Sequence, residues 1–142
     1  MKSFVVDASV GIKWVVNESE SSHARKLSTS NLIAPDLFYP ECGNILWKKV
    51  RRGDLSQPEA TERLSALLTV PIEVVSHQNL MDRSIELAFE LDHPVYDCLY
   101  LSLAIHRSIQ MVTADERLVA VLNKSPRLRN TILPLKDFQP TT

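Results

Sequence analysis

Hydrophobic positions along the chain fall into short β-branched runs separated by longer stretches of helical spacing. Ser3–Val6 reads SFVV, a short buried strand that ends on Asp7 and a turn, with VGIKWVV as the next apolar segment. Ser19–Ser28 places Ala24 and Leu27 on one helical face, and Leu32–Ala34 forms a second strand stopped by Pro35. From Asp36, the string DLFYPECGNILWKKVRRG carries an apolar stripe of Cys42, Ile45, Leu46, Trp47 and Val50 and stops at Gly53. Pro40 disturbs its first turn, so the regular helix is expected to start there, with Glu41 in the first turn. Gly43 inside this helix suggests close approach by another segment, with the backbone around Asp7 as the candidate.

Ser56–Leu68 opens with a capping box, Ser56 and Glu59, and continues on Ala60, Leu64, Leu67 and Leu68. Ile72–Val75 is a third strand. Leu80–Leu91 predicts a helix whose inward set is Leu80, Ile85, Leu87, Ala88 and Leu91. His93–His106, HPVYDCLYLSLAIH, is almost wholly apolar around a single acid, the mark of a helix buried on all sides. Asp97 is expected to open that helix as its N-cap. Gln110–Thr113 is a fourth strand, Glu116–Leu122 a short helix and Thr131–Leu133 a fifth strand; a polar tail from about residue 136 to 142 is expected to be loosely held.

Strands alternating with helices predict an α/β fold, a parallel sheet of four or five strands covered by helices on both faces. The length of 142 residues with 44% hydrophobic residues suits a single domain, 1–142. Lys+Arg 16 against Asp+Glu 17 leaves the chain near neutral, so a polyanionic partner would have to be met by a local basic patch. Cys42 and Cys98 lie in apolar segments and form no disulfide or zinc pattern, which fits a reducing cytoplasm. The first residues do not read as a signal sequence, and no segment has the roughly 20 apolar residues that span a bilayer.

Four acids stand at the edges of apolar segments. Asp7 and Asp115 follow strands, whereas Glu41 and Asp97 open helices, and in a parallel α/β layer strand C-termini and helix N-termini share one rim. Converging carboxylates repel by about 4 kcal/mol per pair at 4 Å in an effective dielectric near 20. A proton or a hard divalent cation offsets that repulsion, and oxygen ligands alone suit Mg²⁺, or Mn²⁺, over zinc. Each acid also has a plain structural reading as a cap. Ser9 and Thr113 would orient an acid or a bound water, or serve as turn hydroxyls. The basic residues Lys13, Lys48, Lys49, Arg51, Arg52 and Arg117 are candidates for a phosphate-tracking path. For the run Lys48–Arg52, the alternative is a favourable charge at a helix C-terminus. His23, His77 and His106 have no acid or hydroxyl partner close in sequence; His93, before Pro94, reads as a turn residue and Tyr100 as core packing.

The strings VVDASVGIKW, PDLFYPECGNILWKKVRRG, HPVYDCLYLSLA and MVTADERL resemble, in order and spacing, the four acidic motifs of the PIN-domain family, and within it the VapC-like toxin ribonucleases. The resemblance implies a three-layer fold and Mg²⁺- or Mn²⁺-dependent endonucleolytic cleavage of RNA. It matches Asp7, Glu41, Asp97 and Asp115 to the metal-site residues and Ser9 and Thr113 to accompanying polar positions. It also implies a homodimer and a small VapB-like antitoxin as partner. Three alternatives stand beside it: a protein-binding module whose acids are structural, a housekeeping RNA-processing nuclease, and a small Mg²⁺-dependent phosphatase.

Overall fold

The structure, a computed structural model, describes residues 1–140. Its five strands are β1 (Ser3–Val6), β2 (Asn31–Pro35), β3 (Glu73–Val75), β4 (Gln110–Thr113) and β5 (Ile132–Pro134). All pair in parallel, in the order β3-β2-β1-β4-β5. Seven α-helices connect them: α1 (Ala8–Val15), α2 (Ser21–Leu27), α3 (Phe38–Arg51), α4 (Gln57–Leu67), α5 (Met81–Leu91), α6 (Val95–Arg107) and α7 (Glu116–Asn123). The chain steps from β1 outward to β3, then returns across the sheet to β4 and β5. With right-handed crossovers, this reversal puts helices on both faces. It also makes the β1/β4 boundary a topological switch point, where the connections leave a crevice at the strands' carboxyl ends.

The segment around Asp97 forms the centre of the core. Seven consecutive residues of α6, Cys98 to Ala104, are buried, and the helix lies against β1, β2 and β4. Helix α5 packs along it. Buried Ser84 ties the pair together by donating to the carbonyls of Leu80 at 2.6 Å and Cys98 at 3.3 Å. On the other side of the sheet α1, α3 and α4 pack on one another, and α4 carries the expected Ser56–Glu59 capping box. Among the described residues no helix is long and apolar enough to cross a membrane.

Several expectations are corrected. Helix α3 begins at Phe38, two residues before Pro40. A proline in the first turn costs no hydrogen bond because the first four N–H groups of a helix have no internal acceptor. Helix α6 starts at Val95 with Pro94 as its N-cap residue, so Asp97 sits inside the first turn and caps nothing. A Cβ built on Gly43 would meet nothing within 4 Å; the crowded glycine is Gly11, where it would lie 2.4 Å from the Phe38 ring. Leu68 and Ile85, both expected to face inward, are exposed, and Ile85 joins Met81 and Phe89 in an outward apolar stripe on α5. The tail is anchored further than its composition suggests: Leu135 and Phe138 are buried, and the Phe138 ring meets Phe4 edge-on at 5.7 Å. Thr141 and Thr142, the end of the expected loose tail, lie outside the described residues.

Candidate functional site

Asp7 leaves β1 at the switch point. Its backbone is extended there, and its carboxylate Oδ1 accepts from the Val10 N–H at 3.2 Å, which makes it the N-cap of α1. The same oxygen accepts from Ser9 Oγ at 2.5 Å, while Oδ2 accepts from Thr113 Oγ1 at the end of β4. Ser9 in turn accepts from the Ala114 N–H, so the two strand ends are joined through side chains. Burial pushes the Asp7 carboxyl up to about 7. The hydroxyl bonds from Ser9 and Thr113 oppose that rise, and the negative charge of Asp97 adds to it.

The other three acids come from helix N-terminal turns. Glu41, in the first turn of α3, is half-buried, and its Oε1 accepts from the hydroxyl of buried Tyr100 at 2.5 Å. Desolvation raises its pKa; the Tyr100 bond lowers it and Asp97 raises it further. Burial, then Glu41, drives the Tyr100 phenol far above its ordinary value, so it remains a donor. Asp97 Oδ2 lies 2.6 Å from His93 Nε2. Asp115 caps α7, its Oδ1 accepting from the N–H groups of Arg117 at 2.9 Å and Leu118 at 3.3 Å.

Asp7, Ser9, Glu41, Asp97 and Asp115 line one cleft of about 470 Å³, with Lys48, Asn44 and Tyr96 also on its wall. Thr113 reaches the cleft through Asp7. The remaining basic candidates are scattered. Lys13 and Lys49 both pair with Glu18, at 3.3 and 2.9 Å, and their side chains are only 12% exposed. Arg51 lies over the Trp47 ring, Arg52 faces Asp54 at 3.6 Å, and Arg117 is exposed on the first turn of α7. Cys42 and Cys98 are free and buried, and burial holds both thiols above their usual range.

Sequence reasoning undervalued two side chains. His93 and Tyr100 each bond an acid of the cleft. The four-residue spacing from His93 to Asp97 was a readable signal, whereas Tyr100 and Glu41 are 59 positions apart and left none. His77 also has an acid partner, Asp36, at 2.9 Å from its Nδ1, contributed from 41 positions away.

The donor set fits a hard divalent cation. It offers carboxylate oxygens from four segments, and the cleft wall holds Lys48 as its one cationic side chain. Among the described residues no three His, Cys, Asp or Glu side chains are gathered tightly enough to cage a metal ion by themselves. Mg²⁺ needs no such cage, because it keeps several waters and shares its shell with substrate phosphates.

A parallel sheet with acids drawn from strand ends and helix mouths to one switch-point crevice defines a class of small α/β domains built around carboxylates. The chain belongs to the PIN domain family, whose family model matches residues 4–123. It is 32% identical over 118 residues to Ribonuclease VapC3 of Pyrobaculum aerophilum, covering 80% of this chain and 90% of the relative. The fold is similar to the crystal structure of PAE2754 from Pyrobaculum aerophilum, with a TM-score of 0.72 at 24% identity over 94% of this chain and 84% of that one. It is also similar to a chain of a toxin-antitoxin complex from Klebsiella pneumoniae, with a TM-score of 0.64 at 14% identity over 93% and 97% of the two chains.

Proposed function

We propose that this chain is a divalent-cation-dependent endoribonuclease, the toxin of a toxin-antitoxin pair, which cleaves cellular RNA in the cytoplasm and so blocks translation. The observation that carries the reading is the meeting of four carboxylates from four separate segments in one open cleft beside Lys48. The ribonuclease name of a relative that aligns over most of the chain supports RNA as substrate.

Asp7, Asp97 and Asp115 would hold Mg²⁺ or Mn²⁺, with Glu41 completing the shell or placing the attacking water. A cation bound there supplies Lewis acidity and a nucleophilic water for in-line attack on a phosphodiester. The chain's own residues do the rest. Ser9 and Thr113 hold the Asp7 carboxylate in one orientation. Lys48 offers a positive charge to the substrate backbone on the same wall as the acids. Lys13 and Lys49, paired with Glu18, brace the segment between α1 and α2 against α3.

Two partners belong to this reading. A small VapB-like antitoxin is supported by the toxin-antitoxin complex among the fold neighbours and by an apolar groove between α3 and α4 at Leu46, Trp47 and Leu64. A homodimer is supported by the stripe of Met81, Ile85 and Phe89, of which Phe89 is 80% exposed.

The test is cleavage of structured RNA by the purified protein with Mg²⁺, with EDTA, and by the Asp7→Asn and Asp97→Asn variants. Cleavage is expected with Mg²⁺ and wild-type protein alone. Equal cleavage in all four would sink the metal-carboxylate mechanism, and binding of RNA without cleavage would favour a binding module.

A further inference from the structure

We propose that His93 is a positioning residue for Asp97: its imidazole holds one carboxylate oxygen so that the other alone is presented to a divalent cation. The inference rests on reading the cleft as a cation site. His93 Nε2 lies 2.6 Å from Asp97 Oδ2. An ionised carboxylate only accepts hydrogen bonds, so Nε2 carries the hydrogen and cannot at the same time be a metal ligand. The imidazole is mostly buried, yet it is absent from the cleft wall that Tyr96 and Asp97 form. The ring therefore touches Asp97 without itself lining the cleft.

The turn between α5 and α6 fixes the ring in that place. Asp92 adopts a left-handed conformation with φ 49°, the His93 N–H donates to the Ala88 carbonyl at 3.1 Å, and Pro94 starts α6 at once. His93 and Asp97 are therefore held by one rigid corner. The same division of labour recurs along the rim. Glu41 gives Oε1 to Tyr100 and keeps Oε2; Asp115 gives Oδ1 to two backbone N–H groups and keeps Oδ2. Of the three rim acids, Asp97 alone owes its bond to a side chain from its own turn. Its orientation can therefore be altered without touching the core.

The experiment is calorimetric titration of the full chain with Mn²⁺ alone, comparing wild type with His93→Gln, His93→Asn, His93→Ala and Asp97→Asn. The amide nitrogen of Gln reaches the place of Nε2, and that of Asn falls one bond short, although Asn suits a turn at least as well. His93→Gln is expected to bind close to wild type. His93→Asn and His93→Ala are expected to bind 10- to 100-fold more weakly, the usual cost of losing a partner of a metal ligand. Because Asn suits the turn better than Gln, weaker binding by the Asn variant reads the hydrogen bond and not the fold. Unchanged binding in His93→Ala, or equal binding by the Gln and Asn variants, overturns the proposal. Weakened binding in Asp97→Asn with none in His93→Ala overturns the positioning role alone. Wild-type binding in Asp97→Asn removes the cation site itself and the proposal with it.

Discussion

The two ends of the cleft hold the same functional group under opposite conditions. At the inner end Asp7 is buried, with both oxygens engaged by Ser9, Val10 and Thr113, and burial raises its pKa to about 7. At the outer end Glu41, Asp97 and Asp115 sit in helix N-terminal turns or caps, partly open to water, each with one oxygen tied and one free. The difference follows from the elements that deliver them. A strand of a doubly covered sheet ends in the dry interior, so an acid there keeps its charge only at a cost. Asp7 shares the positive end of a helix with the other three, as the cap of α1, so what sets the outer acids apart is their access to solvent and not the dipole. The inner end thus couples ionisation to folding, and the outer end offers oxygens.

The largest test of this contrast is Asp97→Asn. RNA cleavage is expected to fall by more than about 100-fold, beyond the 10–100-fold typical of changes outside the ligand set. Stability should stay within about 0.5 kcal/mol, since Asp97 caps no backbone group and the Asn carbonyl can still accept from His93. A denaturant melt showing a loss well above 1 kcal/mol would make Asp97 a structural acid and erase the distinction.

Next in size is the pH dependence of the metal-free protein. The folded-state pKa of Asp7 is raised, from 3.8 to about 7. Between those values the folded protein binds the proton and the unfolded chain does not. Stability from this group is therefore fully present below about pH 4 and is lost as pH rises through 7. At about 1.4 kcal/mol per pH unit the full penalty is about 4 kcal/mol. Melts of the EDTA-treated protein at pH 5 and pH 8 should differ by about 3 kcal/mol, the part of it lost above pH 5, and millimolar Mg²⁺ should shrink that difference by stabilising the protein at pH 8. Asp7→Asn should flatten the profile; an unchanged profile in that variant would assign the effect elsewhere.

The smallest effects concern two helical glycines, one beside each environment. Gly11, in the helix that Asp7 caps, has the Phe38 ring where a Cβ would stand, so Gly11→Ala is expected to destabilise by about 1–3 kcal/mol through overpacking. Gly43, on α3 with Glu41, has open space, so Gly43→Ala should stabilise by up to about 1 kcal/mol through helix propensity. Thermal or denaturant melts with opposite signs for the two substitutions would sharpen the contrast between a close-packed inner end and an open outer one.

The alternation of strands and helices was legible because it is written in local spacing. SFVV and QMVT each deliver an acid to the same rim, and the apolar run after Asp97 announced its burial. What escaped was set by partners distant in the chain or by which side of a helix meets a neighbour. Ile85 fits the inward period of α5 but falls on the outward stripe with Phe89, since a moderately apolar helix offers two plausible faces. Tyr100 reads as a core residue until Glu41 arrives from α3. The basic residues looked like one group along the chain, yet Glu18 takes Lys13 and Lys49 out of it and leaves Lys48 on the cleft wall. Phe138 could not be separated from a polar tail without knowing that Phe4 leaves room for its ring.

The bond from Thr113 to Asp7 spans 106 positions of chain, and that distance is also a delay. A ribosome adding about 5–20 residues per second exposes Asp7 and its strand roughly 5–20 s before Thr113 exists. Through that interval β1 has only β2 beside it, since β4, its other neighbour, is still unmade. The inner acid has Ser9 beside it from the start, but it acquires Thr113 only when synthesis has passed residue 113. A cell making this protein never holds a nascent chain with an assembled cleft until most of the domain has been translated.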